Sequence, residues 1–158
     1  EILAFVNNQL CENNEAEMFV TVWMGILDLS TGVMTAANAG HEYPAFRKAD
    51  GEFELIKDKH GFVLAGLEDV AYTDYEIRFE PGDTLYVYTD GVAEATNAES
   101  KLFGTERMLQ ALNGSPDKAC RKILENVSGG IHAFVQEAPQ FDDITMVALT
   151  YYGETGEH

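Results

Sequence analysis

The sequence predicts an α+β fold, with several antiparallel strands and a pair of helices late in the chain. Three observations carry the prediction. Runs rich in β-branched and aromatic residues recur from Phe19 to Val92, separated by Gly, Pro and Asp-Gly turn signals. Stretches with apolar residues at helical spacing flank them, Ile2 to Leu10 before and Thr105 to Val127 after. A last β-rich run, Ile144 to Tyr152, closes the domain. With no linker, internal repeat or low-complexity segment, residues 1–158 are expected to form a single domain, long enough to bury a proper core.

Taken in order, Ile2 to Leu10 reads as a helix running out into polar Glu12-Asn13-Asn14-Glu15. Phe19 to Leu29 is a strand broken at Ser30-Thr31-Gly32, and Val33 to Ala39 resumes as its hairpin partner. Tyr43 to Arg47 and Phe53 to Ile56 flank Ala49-Asp50-Gly51, where Asp-Gly signals a second hairpin. Ala71 to Phe79 is a further strand, and Pro81-Gly82-Asp83 turns the chain into the strand Leu85 to Thr89. Asp90 stands at the end of that strand, and Gly91 allows a sharp backbone turn just after it. Thr105 to Leu112 has helical spacing. Ser115-Pro116-Asp117 places a hydroxyl cap before a proline at the first helical position. The helix it opens is expected to run through Ala119, Ile123, Leu124 and Val127 and to be interrupted at Gly129-Gly130, with Ile131 to Gln136 as a further turn. The tail Gly153 to His158 is expected to fray.

Composition narrows the function classes. Hydrophobic residues make up 46% and charged residues 23%, an ordinary globular balance. The 10 basic and 27 acidic residues give a net charge of −17, a surface that repels nucleic acid and anionic lipid, so both are set aside as partners. No stretch has the length of a membrane span, so no direct membrane insertion is expected. Cys11 and Cys120 match no zinc or redox spacing and suit a reduced, cytoplasmic setting as ordinary buried or half-buried thiols. His60 and His132 read as surface or core residues with no partner at ligand spacing, and Trp23, within the strand Val20 to Ile26, reads as core rather than a ligand platform.

Two carboxylate groups carry the chemistry. Asp90-Gly91 ends one apolar strand, and Phe141-Asp142-Asp143 precedes another in mirrored order. Each alone is weak, since Asp-Gly fills ordinary turns and paired acids often form a solvated rim. Together, on adjacent strands, they could hold divalent cations between them. Oxygen-only ligands favour hard ions such as Mn²⁺ or Mg²⁺, and two such ions about 3.5–4 Å apart can activate a water and clamp phosphoryl oxygens.

The segments Asn38-Ala39-Gly40-His41-Glu42-Tyr43-Pro44, Pro81-Gly82-Asp83 through Asp90-Gly91-Val92-Ala93-Glu94-Ala95, Phe103-Gly104 and Asp142-Asp143-Ile144-Thr145, in this order, resemble the bacterial PP2C-like serine phosphatases of the SpoIIE/RsbU branch. The resemblance implies two antiparallel sheets packed face to face with helices outside. It implies a binuclear Mn²⁺ or Mg²⁺ site and hydrolysis of phosphoserine or phosphothreonine, on phosphorylated anti-anti-sigma-factor (STAS) proteins of partner-switching signalling. Asp90 and Asp142 then stand at the catalytic metal-ligand positions, with Gly91 beside the first and Asp143 behind the second. Asn38, Gly40 and His41 fall near the substrate. For His41 two readings stand: a turn residue with its imidazole bonded to backbone, or a proton donor to the leaving oxygen. The loop Ala95 to Phe103 occupies a place where relatives contact substrate.

The resemblance also implies an upstream Gly-Asp segment whose Asp bridges the two metals. No such segment occurs in this sequence, so the chain is expected to be the C-terminal portion of a longer phosphatase, weakly active or inactive alone, with a sensor domain upstream as an option. Sheet edges left by missing strands would invite pairing with another chain, so a dimer is another option. The alternatives are a non-catalytic module that keeps the fold to dock a partner, and a small-molecule carrier.

Overall fold

In a computed structural model the described residues are 1–12, 14–57, 60–114, 118–139 and 142–153. Eleven elements follow in the order α1 (Ile2–Cys11), β1 (Val22–Asp28), β2 (Val33–Ala39), β3 (Ala45–Arg47), β4 (Glu54–Leu55), β5 (Tyr75–Arg78), β6 (Thr84–Tyr88), α2 (Asp90–Ala93), α3 (Gly104–Asn113), α4 (Cys120–Val135) and β7 (Met146–Thr150). The chain divides into two units, Glu1–His41 with Lys57–Phe79 and Gly153–His158, and Glu42–Ile56 with Glu80–Tyr152.

The first unit is organised by the β1–β2 hairpin, in antiparallel register from Val22↔Ala39 to Asp28↔Val33. Its turn falls at the expected Ser30-Thr31-Gly32, with Gly32 at φ +70, and the structure adds the Asp28 carboxylate, which accepts from the Ser30 amide at 2.9 Å and its hydroxyl at 2.7 Å. The serine hydroxyl bond also holds the Asp28 carboxyl below its usual range. β5 joins the other side of β2. Leu3 of α1 packs with Ala37, Ala39 and Leu64. The buried Asn7 ties α1 down, donating to the Leu67 carbonyl at 2.8 Å and accepting from the Ala65 amide at 2.9 Å.

The second unit carries an antiparallel sheet in the order β4-β3-β6-β7. Alternation along β6 sends Tyr86 and Tyr88 to one face, stacked at 5.5 Å between centroids and buried with Phe103, Met108, Ile123 and Val127. That burial pushes both phenols well above the ordinary tyrosine range. Helix α4 buries Ile123, Val127 and Ile131, spaced four apart. It runs straight through Gly129-Gly130, where an interruption was expected. A Cβ on Gly130 would meet Ala111 and Phe103 in ordinary van der Waals contact at 3.4 Å and one on Gly129 would meet nothing, so space does not demand either glycine; burial of Ile123, Val127 and Ile131 offsets their poor propensity. The expected start at Ser115-Pro116-Asp117 lies outside the described residues, as do Phe141 and the tail beyond Gly153.

The Pro81-Gly82-Asp83 turn has a further role. Gly82 takes φ +96, and the fully buried Asp83 accepts from the amides of Ala49 and Glu80, both at 2.9 Å, and from Lys48 Nζ at 2.8 Å. Asp83→Ala removes one acceptor from three donors, two of them backbone. It is expected to cost about 2–4 kcal/mol in a denaturant titration, with the midpoint moved and the slope unchanged.

Candidate active site

β6 and β7 run side by side from Thr84↔Thr150 to Tyr88↔Met146, and the ladder continues one step further. The Thr89 amide donates to the Thr145 carbonyl at 3.0 Å. The Thr89 hydroxyl accepts from the Thr145 amide at 3.0 Å and donates to the Asp143 carbonyl at 3.2 Å. One threonine thus fastens the end of β6 to the entrance of β7 and brings Asp90 beside the Asp142-Asp143 segment. The sequence reading passed over Thr89. Its signal was a hydroxyl immediately before the helix that begins at Asp90, a capping position, yet the side chain makes no cap bond and serves the neighbouring strand instead.

Asp90 opens the short helix α2, and its Oδ1 accepts from the Gly91 amide at 2.9 Å. The role expected for Gly91, a sharp turn through unusual dihedrals, is not the one the structure gives it. Gly91 is helical and absent from the positive-φ positions. What demands glycine is proximity, because a Cβ there would lie 2.5 Å from the Asp143 carbonyl oxygen. Asp142 Oδ1 accepts from the Asp143 amide at 2.7 Å. Asp90, Asp142 and Asp143 are all exposed, while Gly91 and Val92 beneath them are buried. The result is a rigid apolar base that presents three carboxylates to solvent.

Asn38, Gly40 and His41 lie in the first unit, where the Asn38 side chain clasps the chain behind it. Its Oδ1 accepts from the His41 amide at 2.8 Å and its Nδ2 donates to the His41 carbonyl at 3.1 Å. Gly40 has φ +72, and a Cβ there would meet Val63 Cγ1 at 2.6 Å. Among the described residues the imidazole makes no bond to backbone, which one of the two readings expected. Its Nδ1 meets the Thr21 hydroxyl at 3.1 Å.

The donors at the two strand ends suit a hard divalent cation in kind, being carboxylate and carbonyl oxygens without sulfur or imidazole. In number they fall short, since no three Asp, Glu, His or Cys side chains converge among the described residues. Both cysteines are half-buried and free, and no helix among the described residues is long and apolar enough to cross a membrane.

Comparison with known proteins shows the family and the fold. The model of the Stage II sporulation protein E (SpoIIE) family matches residues 1–152. Protein IcfG of Synechocystis sp. (strain ATCC 27184 / PCC 6803 / Kazusa) is 30% identical over 138 residues, covering 87% of this chain and 22% of IcfG. Phosphoserine phosphatase RsbU of Bacillus subtilis (strain 168) is 24% identical over 151 residues, 94% of this chain and 44% of RsbU. The chain therefore spans less than half the length of these relatives. Among solved structures, the SiaA-PP2C domain of Pseudomonas aeruginosa aligns with a TM-score of 0.76 at 20% identity, covering 95% of this chain and 59% of that one. The phosphatase domain of SpoIIE from Bacillus subtilis, presoaked with Mn, aligns with a TM-score of 0.67 at 14% identity, covering 87% and 59%. The mixed fold with two antiparallel sheets expected from the sequence is that of these PP2C domains.

Proposed function

The chain belongs to the SpoIIE family of PP2C-like phosphatases, and from that membership we propose that it is the C-terminal portion of a metal-dependent protein serine/threonine phosphatase. The observation that carries the reading is the fastening of Asp90 to the Asp142-Asp143 segment by Thr89. Asp90, the Gly91 carbonyl, Asp142 and Asp143 would hold their share of Mn²⁺ or Mg²⁺, with two ions in the complete domain. Bound there, a divalent cation supplies the positive charge that draws in a phosphate and acidifies water. That charge is needed, because each carboxylate repels a phosphate by about 1 kcal/mol at 4 Å even in water. The family resemblance places a further, bridging carboxylate in a Gly-Asp segment upstream, and on that reading the isolated chain is weakly active or inactive.

The substrate we propose is a phosphorylated anti-anti-sigma-factor-like protein in cytoplasmic partner-switching signalling, a reading supported by the likeness to phosphoserine phosphatase RsbU. The test is Mn²⁺-dependent phosphate release from p-nitrophenyl phosphate and from such a phosphoprotein, by the longer protein and by this chain. The reading predicts turnover in the first and little in the second. A longer protein that binds its partner but releases no phosphate would favour the non-catalytic docking module.

His41 remains a candidate proton donor. Under that role His41→Ala lowers kcat at least ten-fold while the Mn²⁺ concentration for half-maximal activity stays put. An unchanged kcat would leave His41 as a turn residue held by Asn38 and Thr21.

A further inference from the structure

Beside the strand ends of the second unit opens a cavity of about 620 Å³, within the size range of sites that enclose a ligand. Its floor includes Gly91 and Asp142, so it is continuous with the carboxylate end of the sheet. Its walls are largely apolar, with Ile131 and Val135 from α4, Ile144 and Met146 from the β7 side, and Leu102 from the loop after α2. Glu94 and Asp142 bring acid to the lining.

That loop is built rather than slack. Thr96 and Leu102 form an antiparallel bridge, the Phe103 amide donates to the Ala95 carbonyl at 2.7 Å, and Asn97 Oδ1 accepts from the amides of Glu99 and Lys101, both at 3.0 Å. The neighbouring Phe103 is 2% exposed and anchors the loop in the core. Leu102 by contrast is a large apolar side chain that is 54% exposed. At the other wall α4 ends on Gln136 with φ 55 and ψ −117.

We infer that this groove is a specificity subsite, which seats an apolar side chain flanking the phosphorylated residue of the protein substrate. The inference rests on the phosphatase reading. Its argument is continuity: Asp142 and Gly91 belong to both the groove and the carboxylate end, so a residue flanking a phosphate held at Asp90 and Asp142 lies within reach of the groove. An apolar side chain there gains burial against α4 and Leu102, whereas an acidic one meets Glu94 and Asp142 in an apolar wall.

The experiment uses the full-length protein with Mn²⁺ and two phosphoserine peptides that differ only in Leu or Asp flanking the phosphoserine, with p-nitrophenyl phosphate as a reference. The expected result is a preference for the Leu peptide of roughly ten-fold or more in kcat/KM, carried by KM. Leu102→Arg, at an exposed position that tolerates substitution, should reverse the order by weakening the Leu peptide and improving the Asp peptide, each relative to p-nitrophenyl phosphate. Equal kcat/KM for the two peptides, or an order unmoved by Leu102→Arg, overturns the subsite and leaves the phosphatase standing. No release from any of the three substrates overturns the phosphatase reading itself.

Discussion

Asp90→Asn in the full-length protein is expected to lower Mn²⁺-dependent phosphate release by about 10³-fold or more while leaving the melting temperature unchanged. The two halves of that expectation come from different oxygens. Asp90 Oδ1 accepts the Gly91 amide at 2.9 Å, and the oxygen of the substituted amide can accept it equally well, so the start of α2 survives. The lost negative charge belongs to the carboxylate that would face the cation, and metal-ion assistance worth several kcal/mol corresponds to that fall in rate. The measurement is steady-state turnover with a thermal melt on the same sample. A variant as active as the parent would remove Asp90 from the site.

Gly91→Ala should damage stability and activity together. The added methyl would stand 2.5 Å from the Asp143 carbonyl oxygen, and the obstacle is backbone, which no rotamer change can relieve. The end of β6 and the entrance of β7 must then separate, straining the bonds that Thr89 makes to Asp143 and Thr145. A cost of about 1–3 kcal/mol is expected for such overpacking, read as a lower melting temperature. Turnover should fall at least as far as for Asp90→Asn under conditions where the variant is still folded, because both carboxylate segments are displaced at once. A stable and active Gly91→Ala would mean that the strand ends are not held at this separation.

The contrast between these two residues shows what the sequence could reveal. Asp90 was legible because a carboxylate ending an apolar strand is a local pattern, and so was the β1–β2 hairpin, whose Ser30-Thr31-Gly32 signal acts within the turn itself. The strand ends at Val33 and Ala39 were read to the residue for the same reason. Gly91 was noticed for a wrong reason, since its constraint comes from Asp143, far along the chain. Thr89 and Asp83 were passed over as functional or structural anchors because their partners are equally remote in sequence. Helix α4 was cut at Gly129-Gly130 because propensity is local, and the core that buries Ile123, Val127 and Ile131 is not. The groove beside Gly91 could not be foreseen, as its walls come from segments on both sides of α3.

The bond from Thr89 to Asp143 spans 54 residues of sequence. A chain emerging from the ribosome presents β6 and Asp90 while α3, α4 and β7 are still unmade, and a pairing of such long range also forms slowly once all of it is available. Throughout that interval the nascent chain carries an acidic strand end with no counterpart. The candidate site would therefore be completed in one step, when β7 docks and synthesis has passed the second unit.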